Sequence, residues 1–174
     1  MDAKRLNRKA VFLDRDGVLN EERGDYTYLI EDFKIAKGVC QALQVLKEAG
    51  FLLIVITNQG GIAKGLYQEA NVWECHRYLE KYCNISFDDL YFSPYHPIFS
   101  ASLSRKPDSL LLEKAIAKHQ INTQLSWMIG DSPRDIEAAQ KVALKTIKIG
   151  TKTSTNADFY AQNLWEASQI ILKS

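Results

Sequence analysis

The sequence predicts an α/β fold, a three-layer α/β/α sandwich built on one doubly wound, Rossmann-like parallel sheet. Three observations carry this. Apolar strand-like runs alternate with helix-like segments along the whole chain. Each connection between runs is long enough to hold a crossover helix. The runs themselves are continuous and not alternating, as strands buried on both faces must be. No insert is long enough to fold as a second unit, so residues 1–174 are read as a single domain without a large cap.

Ala10 to Leu13 is the first such run, and it breaks into Asp14-Arg15-Asp16-Gly17. Glu21 to Asp32 is polar and aromatic and reads as an irregular excursion with room for a short hairpin. Gly38 to Ala49 has apolar residues at helical spacing, and Gly50 ends it as a C′ residue. Phe51 to Ile56 is the second buried strand and stops at Thr57-Asn58-Gln59-Gly60-Gly61. Gln68 to Cys83 is helical, with Trp73, Tyr78 and Leu79 expected on one buried face. Asp89 to Phe92 is a short third strand, and a loop runs from Ser93 to Arg105. Pro107 to Lys118 is a helix entered through its proline. Leu125 to Ile129 is the fourth strand, with Trp127 in the core, and it ends at Gly130-Asp131. Pro133 to Lys141 is a helix, Ala143 to Ile149 a fifth strand, and Asp158 to Leu172 a terminal amphipathic helix.

Composition narrows the class. Charged residues are 25% and hydrophobic residues 46%, values of a soluble globular chain. The net charge of +1 provides no basic field for nucleic acid, and no apolar run approaches the ~20 residues of a membrane helix. Met1 to Lys9 is polar and basic, unlike a secretory signal. The three cysteines, Cys40, Cys75 and Cys83, are odd in number and show no CxxC spacing. A disulfide framework is therefore not expected, a reducing, cytoplasmic setting is, and each cysteine is read as a small core hydrophobe. His119, near a helix end, reads as a C-terminal cation or a solvated side chain.

Three strand ends carry unusual polar groups: Asp14 and Asp16, Thr57 and Asn58, Asp131 and Asp135. A fourth cluster, Arg105-Lys106-Pro107, precedes a helix. In a parallel sheet all carboxyl ends lie on one edge, where open α/β sheets bind ligands, so these groups can converge despite their distance in sequence. Paired carboxylates repel, and a divalent cation is the usual relief. A nucleophile, a second acid, a hydroxyl and cations suit phosphoryl transfer, which needs positioning and charge neutralisation. Asp135, in the first turn of its helix, reads equally as an acid complementing the helix dipole.

Asp14-x-Asp16-Gly-Val, Thr57-Asn58, Lys106 and Gly130-Asp131-x-x-x-Asp135 resemble, in order and spacing, the four motifs of the haloacid dehalogenase superfamily over about Lys9 to Gly150. The finer wording, Asp14 to Asn20, Thr57 to Ile62 and Arg105-Lys106-Pro107, resembles its heptose bisphosphate phosphatases and the related histidinol-phosphate phosphatases. That resemblance implies a Mg²⁺-dependent phosphomonoesterase acting on a small sugar bisphosphate, D-glycero-D-manno-heptose 1,7-bisphosphate first, and the chain is expected to act as a monomer. Histidinol phosphate is the alternative substrate, and a non-catalytic binding module on the same fold is the alternative class. It implies that Asp14 attacks phosphorus, that Asp16 protonates the leaving alkoxide and then activates water, and that Thr57 hydrogen-bonds a phosphoryl oxygen. Lys106 neutralises the phosphoryl group and steadies Asp14. Asp131 holds Mg²⁺ together with Asp14 and a main-chain oxygen of Asp16. Arg105 reads the substrate beyond the reacting phosphate, and Asn58, Gln59 and Gly60 line the same mouth.

One departure stands out. Bacterial members of both subfamilies commonly carry a zinc loop of three cysteines and a histidine before the Arg-Lys-Pro. Here Ser93, Tyr95, Ser102 and Ser104 stand at those places. Serine does not replace thiolate for Zn²⁺, and His96 alone cannot hold a metal, so no zinc is expected. The loop is expected to be held by Pro94, Pro97 and packing of Phe99.

Overall fold

The computed structural model describes residues 8–151 and 156–174; most of the amino-terminal segment read above as non-secretory lies outside them. Along the chain follow β1 (Ala10–Leu13), α1 (Val39–Glu48), β2 (Leu52–Asn58), α2 (Glu69–Cys83), β3 (Asp89–Ser93), α3 (Leu110–His119), β4 (Trp127–Gly130), α4 (Pro133–Gln140), β5 (Lys145–Ile149), β6 (Phe159–Ala161) and α5 (Leu164–Lys173). The strands form one parallel sheet in the order β3-β2-β1-β4-β5-β6.

The continuous apolar strands are explained by two cores, one on each face. Val11 and Leu13 of β1, Leu53 and Val55 of β2 and Ile129 of β4 point to the face covered by Leu43 and Leu46 of α1, Leu79 of α2 and Ile171 of α5. Phe12, Ile54, Ile56 and Met128, one residue out of step, point to Leu111, Leu112 and Ala115 of α3 and Ala138 and Ala139 of α4. Period-two alternation thus persists, but both destinations are apolar. No helix among the described residues is long and apolar enough to cross a membrane.

Several expectations are corrected. The segment expected as one helix over Asp158 to Leu172 begins with β6, which pairs Ile147↔Phe159 through Ile149↔Ala161 before Asn163 caps α5. The free edge of β5 overrode the local helical pattern. Leu110, not Pro107, opens α3, because Asp108 N donates to Arg105 O and closes a separate turn first. Between Glu21 and Asp32 the chain forms a 3-10 turn at Ile30–Asp32 rather than a hairpin. Trp73 is 39% exposed, edge-on to His76 and Phe92, while Leu79 is buried as expected. Phe99 is 64% exposed and packs nothing down. The carboxylate of Asp89 accepts from His119 Nε2 at 2.8 Å, so that ring is paired and not solvated. Trp127 is buried as expected.

The cysteine reading holds for Cys75, a buried core residue, and is overturned for the other two. Cys40, in the first turn of α1, is bonded to Cys83, the last residue of α2, across 43 positions of sequence. Nothing in their spacing marked the pair; packing of the two helices on the same sheet face brings them together. Cys75 alone is free and buried.

Candidate active site

The sheet order places β1 beside β4, the point where the winding reverses direction. A crevice opens there at the carboxyl edge. Asp14, Asp16, Thr57, Asn58, Gln59, Gly60, Arg105, Lys106 and Asp131 all line one cleft at that edge. β1 ends one residue before Asp14, with Asp16 two further on, β2 ends in Thr57-Asn58, and β4 ends one residue before Asp131.

Lys106 lies at the centre. It is 3% exposed, and its Nζ reaches Asp14 Oδ1 at 2.9 Å, Asp135 Oδ1 at 2.6 Å and Ile56 O at 2.7 Å. All three ammonium protons are therefore engaged. Burial alone would favour the neutral amine, but Asp135 and Asp14 outweigh it and raise the pKa of Lys106. Asp14 Oδ1 also accepts from Arg15 N at 2.8 Å, which fixes the carboxylate plane. Burial first and the Asp135 charge second push Asp14 up to about 7, against the opposing pull of Lys106. Burial, then Asp135 and Glu22, push Asp131 up to about 6.

Asp135 settles its two readings in an unexpected way. It is 1% exposed, caps α4 by accepting from Ser132 N at 3.0 Å, and holds Lys106. Two glycines make room for these acids. A Cβ on Gly17 would sit 2.0 Å from Asp131 Oδ2, and one on Gly130 would sit 2.2 Å from Asp135 Cβ. Gly17 also adopts a positive φ of 82°, which a side chain would strain.

Asp16 is held from three sides. Arg15 Nη2 donates to it at 3.0 Å, Asn20 Nδ2 at 3.0 Å and Gln59 Nε2 at 3.1 Å. Gln59 is 2% exposed, also donates to Thr57 Oγ1 at 2.9 Å, and accepts from Tyr67 Oη at 2.7 Å. Since Thr57 Oγ1 accepts there, its own proton is left to donate. The Asn58 amide is committed to the backbone of Lys106: Nδ2 donates to its carbonyl and Oδ1 accepts from its N–H, both at 3.0 Å. Asn58 and Gln59 thus line the cleft while already bonded to protein.

The sequence reading missed the far wall. The excursion after β1 contributes Glu22, Gly24, Asp25, Tyr26 and Thr27, and the start of α4 adds Ser132 and Arg134. Only their position six to eleven residues after Asp16, or just after Asp131, could have signalled them. Arg105 Nη1 donates to Tyr95 O at 3.0 Å and lies where a Cβ on Gly60 would meet it at 3.0 Å. In place of a packed Phe99, the loop is tied by hydroxyls: Ser104 Oγ lies 2.8 Å from Ser93 Oγ and 2.8 Å from Ser102 Oγ.

A model of the haloacid dehalogenase-like hydrolases matches residues 19–149. The chain belongs to that family. It is 35% identical over 150 residues to a D-glycero-beta-D-manno-heptose-1,7-bisphosphate 7-phosphatase of Haemophilus ducreyi, covering 81% of this chain and 82% of that protein. It is 34% identical over 180 residues to the protein of the same name in Escherichia coli K12, covering 94% of each. Within the family, then, this chain is a phosphatase. Its fold superposes with a TM-score of 0.85 on a D,D-heptose 1,7-bisphosphate phosphatase from B. bronchiseptica complexed with magnesium and phosphate. That match has 22% identity and covers 95% of this chain and 98% of the other.

Proposed function

We propose that this phosphatase hydrolyses a phosphate ester of D-glycero-D-manno-heptose 1,7-bisphosphate through an aspartyl-phosphate on Asp14. The observation that carries the mechanism is the pairing of Asp14 with Lys106 at the end of β1, with Asp16 held two residues further on. Oδ1 of Asp14 takes the bonds from Lys106 and Arg15, which leaves Oδ2 to attack phosphorus. As the P–O bond to the sugar breaks, Asp16 gives its proton to the leaving alkoxide. In the second half Asp16 takes a proton from water, the oxygen attacks phosphorus, and the bond to Asp14 breaks to release phosphate. The Thr57 hydroxyl donates to a phosphoryl oxygen. Lys106 holds Asp14 in line and contributes charge.

Oxygens of Asp14, Asp131 and Asp135 lie within 4.8 Å of one another. Such a hard, crowded donor set fits Mg²⁺, whose charge offsets their repulsion. Asp14, Asp131 and the Asp16 carbonyl are its proposed ligands, because Asp135 is already bound to Lys106 and Ser132. Bound there, the ion would polarise the phosphoryl group. No zinc is expected in the serine-bearing loop.

The cleft, about 470 Å³, is of the size that encloses a small ligand. A charged sugar phosphate fits a cytoplasmic setting. The relatives quoted all carry the heptose name, which favours that substrate over histidinol phosphate, and retention of both Asp14 and Asp16 disfavours a binding module. The test is phosphate release from the heptose bisphosphate and from histidinol phosphate, by wild type and Asp14→Asn. The bisphosphate should be the far better substrate, and the variant should fold and be inactive. A folded Asp14→Asn enzyme with a tenth of the wild-type rate would end the nucleophile assignment. A preference for histidinol phosphate would end the substrate assignment.

A further inference from the structure

Arg105 sits between two clamps. On its carboxyl side, Lys106 is held through its backbone by both ends of the Asn58 amide, at 3.0 Å each. On its amino side, Ser104 is held through its hydroxyl by Ser93. Asn58 and Ser93 are direct register partners at the ends of β2 and β3. Two neighbouring strand ends therefore grip the residues immediately before and after Arg105. Ser102 completes the amino-side clamp. Its Oγ reaches Ser104 Oγ at 2.8 Å and accepts from Ser104 N at 3.3 Å, and its carbonyl accepts from Arg105 N at 3.1 Å.

Apolar packing does not share this task. Ile98, Phe99 and Leu103 in the same loop are 74%, 64% and 67% exposed. Ser93, by contrast, is fully buried, and a buried hydroxyl left without its partner costs free energy. The loop that the clamp closes also supplies Tyr95 O, the acceptor for the Arg105 guanidinium. Shifting the loop shifts both the backbone and the head of Arg105, whereas Asp14 and Asp16 hang from β1.

We propose that the Ser93–Ser104–Ser102 hydroxyl chain is a positioning device that sets Arg105 at the mouth of the cleft and so governs which phosphorylated substrates bind, without taking part in bond cleavage. The three serines are positioning residues. The proposal rests on the phosphatase reading for its effect on substrate choice, but not for the placement of Arg105.

Ser104→Ala removes both side-chain bonds at once, while Ser104→Thr keeps a hydroxyl. Kinetics are compared on D-glycero-D-manno-heptose 1,7-bisphosphate and on p-nitrophenyl phosphate, which has nothing for Arg105 to read. In parallel, the ¹⁵Nε–Hε NMR signal of Arg105, assigned by its loss in Arg105→Lys, reports guanidinium order without turnover. For Ser104→Ala the expectation is a KM about tenfold higher on the bisphosphate, the scale of one lost hydrogen bond. Its kcat should be unchanged, its p-nitrophenyl phosphate kinetics unchanged, and its Arg105 signal broadened. Ser104→Thr should restore most of both readouts. Equal losses on the two substrates, or a sharp and unmoved Arg105 signal, would overturn the proposal. If wild type cleaves neither ester, the phosphatase reading fails and the NMR arm alone decides the positioning claim. Should Ser104→Ala not fold, Ser102→Ala, which leaves the Ser93–Ser104 link in place, is judged by the same criteria.

Discussion

Replacing Lys106 by methionine should be the most damaging single change outside the acids themselves. The side chain is 3% exposed and bonds Asp14, Asp135 and the carbonyl of Ile56. Methionine fills similar volume but supplies no donor, so it strands Asp135, itself 1% exposed, and leaves Asp14 with its backbone donor only. Removing one partner of a buried ion pair costs about 3–5 kcal/mol, since the remaining charge stays buried. Two acids share this lysine, but one is held at 1% exposure and the other at 13%, so the lower to middle part of that range is expected. Urea unfolding at pH 7 in EDTA, with an unchanged m-value, measures it. Adding Asp135→Asn should recover part of the loss, with a coupling of roughly 1–3 kcal/mol for residues in one network. Turnover should fall at least about 10²-fold, the scale of one removed charge-stabilising group. A loss below about 1 kcal/mol, or strict additivity of the two substitutions, would refute the idea that Lys106 neutralises these acids.

Further outcomes follow from other parts of the molecule. Activity should require Mg²⁺, vanish in excess EDTA, and be blocked by Ca²⁺, whose bonds are longer and whose coordination is larger; full activity in EDTA would contradict the metal assignment. Asp89 is pushed up by burial, but hydrogen bonds from Lys118 and His119 win and hold it at about 2. A carboxylate lowered on folding stabilises above its unfolded value and loses that contribution as pH falls through its folded value. Asp89→Asn should therefore cost roughly 1 kcal/mol at neutral pH after screening, and the difference from wild type should fade between about pH 4 and 2 in urea titrations. Reducing Cys40–Cys83 should lower unfolding stability by up to about 4 kcal/mol for a 43-residue separation, while kcat stays unchanged because neither cysteine lines the cleft. A dithiothreitol-insensitive melting temperature would refute the first half of that expectation.

Much of this chain was determined by its sequence. Runs such as Val11 to Leu13 and Leu53 to Ile56 are apolar at every position, which only a strand covered on both faces tolerates, so layer order and the parallel sheet were legible. Polar groups placed directly after those runs named the catalytic edge, because strand direction puts every such end on one side. What the sequence could not supply were relations between distant residues. Asp135 reads as a helix-capping acid until folding sets its carboxylate 2.6 Å from Lys106. Gln59 reads as a mouth residue until its amide bridges Thr57 and Asp16. β6 exists because β5 presents an edge with which Phe159 to Ala161 can pair. The Cys40–Cys83 bond and the serine chain likewise depend on which helices and strand ends become neighbours. Periodicity and strand endings are local properties that a chain carries wherever it folds. Hydrogen-bond partners, charge pairing and burial of an acid are properties of pairs, and only the tertiary structure chooses the pairs.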